Sequence, residues 1–243
     1  MLADAAVAVV SIAAGALAAM TGFGIGSLLT PVLAMSVDTR VAVAAVGIPH
    51  VVGTALRFRL LRGHVNRRVL LGFGLTSAAG GLAGAALYQV TSGRSLNLVF
   101  ALLLLFAAAT EVTGLSRRLR FRGWITWPAG ALSGLLGGLV GNQGGIRSAA
   151  LIGFGLPKEE FVATATAIAL LVDGARLPFY LASEHGSMLA LWRPIAVATA
   201  GVTIGTLVGG RLLTRVPDAW FRRVLAVTLA ALGTLMLVRA FRA

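Results

Sequence analysis

One apolar stretch, from Ala129 to Gly155, is interrupted at its centre by residues that a continuous membrane helix does not accommodate. Four of the five residues from Gly141 to Gly145 are poor helix formers, and Arg147 follows two positions later. A glycine in a helix interior costs about 1 kcal/mol relative to alanine. Backbone freed from helical pairing is tolerated at membrane depth only where protein or water satisfies it. The pattern therefore predicts two half-helices that meet at a polar turn, with the second beginning near Gly144.

This polar turn has the features of an anion-binding site. The free N–H groups and the positive dipole end of a helix that begins near Gly144 point to the same place as the Arg147 guanidinium. The alternative is a glycine-rich helix that packs closely on its neighbours with Arg147 at an interface, because small residues also bring membrane helices together. The sequence leaves both interpretations open.

The composition places the whole chain in a membrane. Of 243 residues, 58% are hydrophobic and 12% are charged, whereas about 25% of the residues of a soluble domain are charged. The windows 95–110 and 224–238 contain no charged residue, which suits helices of about 20 residues that cross a bilayer. The fold expected is an all-α polytopic membrane protein. The residues before the first apolar run include Asp4 but no basic residue. A cleaved secretory signal is therefore not expected.

Charge and cysteine content exclude several classes of protein. The formal net charge is +13, but the arginines cluster in short loops between apolar spans, which is the positive-inside pattern of membrane proteins and does not indicate nucleic-acid binding. The chain has no cysteine, which excludes disulfides, thiolate metal sites and cysteine nucleophiles.

A similar break lies earlier in the chain than the one at 141–145, and the similarity indicates an internal repeat. The apolar run from Ala5 to Met20 is broken at 21–27, and Gly22 aligns with Gly141 when the two runs are superimposed. Further along, Gly53 aligns with Gly174, and each half ends in another apolar span. The sequence thus predicts two repeats of about four apolar segments each, over residues 1–115 and 124–243, joined by a basic cytoplasmic linker at 116–123.

The basic clusters lie one loop out of phase between the halves, which predicts that the second half is inverted. The loop from Ser183 to Ser187 has no basic residue apart from His185, whereas its first-half equivalent is rich in arginine. The residues expected in the cytoplasm are Arg57, Arg59, Arg62, Arg67, Arg68, Arg117, Arg118, Arg120, Arg122, Lys158, Arg211, Arg215, Arg222 and Arg223. Those expected outside are Arg40, Arg94, Arg193, Arg239 and Arg242. Inverted repeats whose broken or re-entrant helices meet near the bilayer midplane are how many secondary transporters build a substrate site.

Two of the 21 basic residues remain, and both lie inside apolar segments. These are Arg147 and Arg176, at positions where an arginine costs roughly 2.5–3.5 kcal/mol and is a functional candidate by default. Asp173 and Arg176 are three residues apart on one predicted helix face. They form either a neutralised internal pair or a site in which Arg176 faces the anion.

The chain resembles the sulfite exporter TauE/SafE family of membrane transporters. The resemblance rests on the paired glycine-rich breaks at 22–26 and 141–145, the short run that holds Pro31, and the duplicated pattern over nearly the whole chain. It implies transport of sulfur-containing anions or organosulfonates such as sulfite or sulfoacetate, in a direction that it leaves open.

The remaining site predictions concern polar residues within the apolar segments. The residues predicted to bind substrate are Arg147, Asn142, Gln143, Gly144, Gly145, Ser148, Thr21, Gly24, Ser27 and Arg176. For Asn142 and Gln143 the alternative role is turn capping, and for Thr21 and Ser27 it is packing. His50 and Asp173 are the proton-coupling candidates, because an unperturbed histidine titrates near pH 6.5. A hydrogen-bonded packing role for His50 is the alternative.

The function predicted is secondary transport of a small anion across the cytoplasmic, or inner, membrane by a multi-pass protein. An anion channel is the first alternative and an intramembrane enzyme the second, although hydrolase and metalloprotease motifs are absent from the sequence. No nucleotide-binding loop, metal site or cofactor is expected. The expected partners are the small anionic substrate and the lipid bilayer, not nucleic acid, and a homodimer is left open.

Overall fold

The computed structural model describes residues 2–114, 123–212 and 218–242. About 90% of the described residues are helical, and no strand occurs among them. The helices of the first half are α1 (Leu2–Thr21), α2 (Ile25–Ala34), α3 (Thr39–Leu61), α4 (Arg67–Val90) and α5 (Gly93–Thr113). Those of the second half are α6 (Thr126–Val140), α7 (Gly144–Ile152), α8 (Lys158–Ala190), α9 (Trp192–Leu212) and α10 (Asp218–Arg242). The all-α membrane fold is confirmed.

Local sequence signals set where several helices begin. The carboxylate of Asp38 accepts from the N–H of Arg40 at 2.8 Å at the start of α3. Ser92 caps α5 in the same manner, with its Oγ accepting from the N–H of Ser95 at 3.2 Å. Such caps satisfy N–H groups that have no partner within the helix. Pro157 directly precedes α8, whose first turn carries two glutamates, as the helix-start signals predict.

In the described part of the chain, six helices are long and apolar enough to cross a membrane. They cover Asp4–Thr21, Thr39–His64, Arg67–Val90, Gly93–Thr113, Lys158–Ala190 and Arg223–Arg242. The helix α2 is apolar but has only 10 residues, too few to cross a hydrocarbon core about 30 Å thick. The short helices α2 and α7 are therefore the second parts of two broken helices, each of which begins with α1 or α6.

Helices that the predicted repeat aligns with each other make similar contacts. The helix α1 packs against α9, and its counterpart α6 packs against α4, while α3 pairs with α8 and α5 with α10. In the first of these pairs Gly205 lies against the Ile12 carbonyl, and in the second Gly80 lies against the Ala131 carbonyl. The match of these contacts agrees with the predicted duplication.

The central helices α3 and α8 run antiparallel. Arg40, near the start of α3, pairs with Glu184 near the end of α8. Arg57, near the end of α3, bonds Thr166 near the start of α8. The predicted repeat aligns α3 with α8, and the inversion predicted for the second half requires this antiparallel direction; the inversion itself stays a prediction.

One predicted loop is wrong, and several predictions lie outside the described residues. Residues 183–187 do not form a loop, because α8 continues to Ala190 with a kink where Glu184 leaves helical geometry (φ −122°, ψ 18°). The linker at 116–123 lies, apart from Gly123, outside the described residues, as do the position of Arg215 and the side chains of Arg211 and Arg222. The boundaries 1–115 and 124–243 stay a prediction.

Candidate functional site

The two helix breaks meet in the interior of the protein. Gly22 and Gly141 end α1 and α6 with positive φ angles of 79° and 72°, which side-chain-bearing residues rarely adopt. A methyl group on Gly26 would lie 2.5 Å from the Gly141 carbonyl oxygen. The backbones of the two breaks therefore touch, and α7 begins at Gly144 as predicted.

Side chains also connect the two breaks. Ser27 Oγ donates a hydrogen bond to Asn142 Oδ1 at 3.1 Å, and both residues are buried. Gly144 packs against the ring of Phe23, so that any side chain at position 144 would clash with it. Two of the predicted site residues, Ser27 and Asn142, are thus brought together across 115 residues of sequence.

Arg147 reaches from the second break to the first. Arg147 is only 2% exposed, and its Nη2 donates a hydrogen bond to the Gly22 carbonyl at 2.8 Å. Nε and Nη1 of Arg147 are buried and have no hydrogen-bond partner among the described residues. The bond to Gly22 matches the cross-helix clamp, whereas the two unpartnered donors are available to an anion, so each of the two interpretations has support.

His50, Asp173 and Arg176 form a buried ionic cluster beside the breaks. His50 Nδ1 lies 2.7 Å from Asp173 Oδ2. Arg176 binds the other carboxylate oxygen, with Nε at 2.9 Å and Nη2 at 2.7 Å from Oδ1. His50 belongs to α3 and the other two residues to α8, so this cluster joins the two halves. Asp173 and Arg176 form the predicted pair, which lowers the free-energy cost of burying either charge.

Two side chains of α8 also hold the end of α6. Arg176 Nη1 donates to the Gly137 carbonyl at 3.1 Å, and the Tyr180 hydroxyl donates to the Gly138 carbonyl at 2.6 Å. These carbonyls lie in the last turn of α6, where such groups have no partner within the helix. Arg176 thus stabilises the second break and pairs with Asp173 at the same time.

Three other predicted residues line a lateral cavity of about 170 Å³. These are Thr21, Gly145 and Ser148, together with Thr110, Glu111 and apolar side chains. The hydroxyl of Thr21 is occupied locally, donating to the Phe23 carbonyl at 2.8 Å, whereas Ser148 Oγ is buried without a partner among the described residues. Arg147 does not line this cavity, so the predicted residues fall into an interior group and a lateral group.

The remaining two predicted residues border the breaks. Gln143 precedes α7 and is buried, and its Oε1 has no partner in the described part of the chain. Gly24 precedes α2 with φ 127°, and a methyl group there would meet the Leu17 side chain at 2.6 Å. Gly24 therefore shapes the first break through its backbone.

Arg57 is a third buried arginine that the sequence interpretation missed. It was expected in the basic cytoplasmic loop, but it is only 3% exposed and its Nε donates to Thr166 Oγ1 at 2.7 Å. The reason is its helical spacing, since Arg57 lies seven residues after His50 and on the same face of α3, which packs against α8. The spacing of His50 and Arg57 is visible in the sequence, but the arginines of the nearby loop suggested that Arg57 is exposed.

A larger cavity lies away from these cations. Its volume is about 760 Å³, and it opens between α3, the end of α8 and α9 with a lining that is mostly apolar. Its lining contains His185 but no arginine or lysine. The interior cluster at the breaks is therefore the better candidate for an anion site.

Two broken helices, six candidate spans among the described residues and buried cations beside the breaks define a multi-pass membrane protein with an interior cationic site. The chain belongs to the sulfite exporter TauE/SafE family, whose sequence profile matches residues 7–236. Because this is a family of anion exporters, the chain is a membrane transporter. No curated protein and no solved structure matches the chain.

Proposed function

We propose that this chain is a secondary transporter of small sulfur-containing oxyanions, sulfite or organosulfonates such as sulfoacetate, in the cytoplasmic membrane. The observation that carries the proposal is Arg147, a buried guanidinium with two donor nitrogens that have no partner among the described residues. A buried charge without an opposite charge is strongly unfavourable. An anionic ligand removes this cost when it binds.

The anion lies between Arg147 and the start of α7. The first N–H groups of α7, at Gly144 and Gly145, have no acceptor within the helix, and the helix dipole favours negative charge there. Asn142 and Gln143 border the same turn and carry amide donors that bind oxyanions. The planar fork of Arg147 suits two oxygens of one sulfonyl group.

Alternating access follows from a rocking motion of two inverted halves. The antiparallel packing of α3 and α8 and the matched contacts of α1 with α9 and α6 with α4 support this inversion. Arg147 and Arg176 are only 2% and 3% exposed, as expected for a closed state. Motion of one half against the other opens the site to each side in turn.

His50 and Asp173 are the residues that couple transport to protons. They form a contact between the halves, and a histidine changes its charge within the physiological pH range. His50 lies beside the contact between the breaks, because a methyl group on Gly26 would be 4.0 Å from His50 Cδ2. Its change of charge therefore occurs next to that contact.

Binding and flux measurements on the purified protein test the proposal. We expect sulfite, thiosulfate or sulfoacetate to bind, and taurine or a simple carboxylate to bind more weakly. In proteoliposomes, accumulation of the anion against its gradient when a pH gradient is imposed supports a coupled transporter. Flux that only follows the anion gradient supports the channel alternative, and the absence of binding and flux for every anion would disprove the proposal.

A further inference from the structure

Arg57 occupies the interior with an unsatisfied donor. Its Nε donates to Thr166 Oγ1 at 2.7 Å, and that hydroxyl in turn donates to the Val162 carbonyl at 2.6 Å. Arg57 Nη1 is buried and has no hydrogen-bond partner among the described residues. A guanidinium that is 3% exposed with an open N–H group is positioned to bind a further acceptor.

The groups that hold Arg57 and Arg147 lie beside the same turn of α8. Thr166 holds Arg57, and Gly22, whose carbonyl holds Arg147, packs against the residues just before Thr166. A methyl group on Gly22 would lie 3.1 Å from Ala165 Cβ and 3.8 Å from Val162 Cα. The acceptors of the two guanidiniums, Thr166 and Gly22, are therefore neighbours in the fold.

The buried charges of the described residues do not balance. The buried cations are Arg57, Arg147 and Arg176, and the buried carboxylate is Asp173. Asp173 is bound by Arg176 and His50, and in the described part of the chain no carboxylate bonds Arg57 or Arg147 directly. Two buried guanidiniums that lack a direct carboxylate partner favour a ligand with two negative charges.

We infer that Arg57 and Arg147 together form the anion site and that they select a divalent oxyanion over a monovalent one. This inference rests on the proposed function, because it requires that Arg147 binds the transported anion. Arg57 Nη1 and the Nε and Nη1 donors of Arg147 then each bind an oxygen of the ligand. The substrate is a dianion, such as an inorganic sulfur oxyanion or a sulfonate with a second acidic group.

Matched pairs of ligands separate charge from shape. Sulfoacetate is a dianion, and isethionate is a two-carbon sulfonate monoanion with a hydroxymethyl group in place of the carboxylate. Sulfate and methanesulfonate form a second, smaller pair. Titration calorimetry of the purified full chain at pH 8 and constant ionic strength gives the affinity for all four. In at least one pair we expect the dianion to bind at least about tenfold more tightly than the monoanion. This is the gain in affinity that one further charge-assisted hydrogen bond provides.

Variants of Arg57 test which residue provides this preference. Arg57→Gln is expected to weaken dianion binding roughly tenfold while the monoanion changes by less than about threefold. Arg57→Lys, which keeps the charge and is more certain to fold, is expected to retain the preference for the dianion with weaker binding overall. Arg59→Gln, on the exposed face of the same helix, is the control and should leave all four affinities unchanged.

Each outcome separates this inference from the proposed function. Equal affinity for dianion and monoanion in both pairs of the unmodified chain would overturn the inference, and so would an Arg57→Gln protein with an unchanged dianion preference. In either case, weaker binding by Arg147→Lys would leave the proposed function standing. Binding of none of the sulfur anions by the unmodified chain would overturn both.

Discussion

His50 and Asp173 are 123 residues apart in the chain, yet His50 Nδ1 lies 2.7 Å from Asp173 Oδ2. Arg176 binds the other oxygen of the same carboxylate and also holds the Gly137 carbonyl at the end of α6. A proton taken up by His50 therefore changes the charge of a cluster that contacts both halves and supports one of the two breaks.

Replacing His50 by Gln tests the coupling of transport to protons. Glutamine keeps an N–H donor for Asp173 but takes up no proton near neutral pH. We expect exchange of labelled for unlabelled anion across proteoliposome membranes to continue near the unmodified rate. Net transport driven by a pH gradient should fall to the level of protein-free vesicles. His64→Gln, an exposed histidine beyond the end of α3, is the control, and gradient-driven transport by His50→Gln would contradict the role.

Replacing Arg147 by Lys separates ligand binding from packing. Lysine keeps the charge but loses the planar fork that binds two oxygens. We expect anion affinity to fall roughly tenfold or more, while the melting temperature without ligand changes little. Calorimetric titration and thermal unfolding of the same preparation measure both quantities. Arg68→Lys, at an exposed position, is the matched control, and a lower melting temperature with unchanged affinity would identify Arg147 as a structural clamp.

Replacing Gly26 by Ala tests the contact between the breaks. The added methyl group would meet the Gly141 carbonyl at 2.5 Å, and neither backbone can move without displacing its helix. Overpacking of this kind costs about 1–3 kcal/mol, so the melting temperature should fall. Gly174→Ala is the control, since nothing lies within 4 Å of a methyl group there and alanine in a helix is about 0.5–1 kcal/mol more favourable. Equal melting temperatures for the two variants would contradict the contact.

Single cysteines at His64 and His185 test the inversion of the halves. Both positions are exposed: His64 lies in a short turn after the end of α3, and His185 directly follows the kink of α8. The two residues follow the aligned glycines Gly53 and Gly174 at the same spacing. The chain has no native cysteine, so each variant carries a single label site. We expect a membrane-impermeant maleimide applied to intact cells to label His185→Cys and not His64→Cys. Both should react once the membrane is permeabilised, and labelling of both from outside would disprove the inversion.

Local chemistry explains which predictions were correct. Hydropathy over about 20 residues identifies membrane helices, and glycine at 22 and 141 marks breaks because its backbone adopts positive φ. The start of α7 at Gly144 and the pairing of Asp173 with Arg176 likewise depend only on residues close in sequence. For the same reason the kink at Glu184 was mistaken for a loop, since a polar run within a helix resembles a loop when its tertiary contacts are unknown.

The sequence alone determined the class of protein and the positions of the two breaks, because both depend on local composition and periodicity, whereas the duplication stays a prediction. Only the tertiary structure decided that Gly26 touches Gly141, that His50 pairs with Asp173 and that Arg57 is buried against Thr166. These contacts join residues more than 100 positions apart. The first depends on how the two breaks meet and the other two on how α3 and α8 pack against each other, and no local pattern specifies which groups meet across these interfaces.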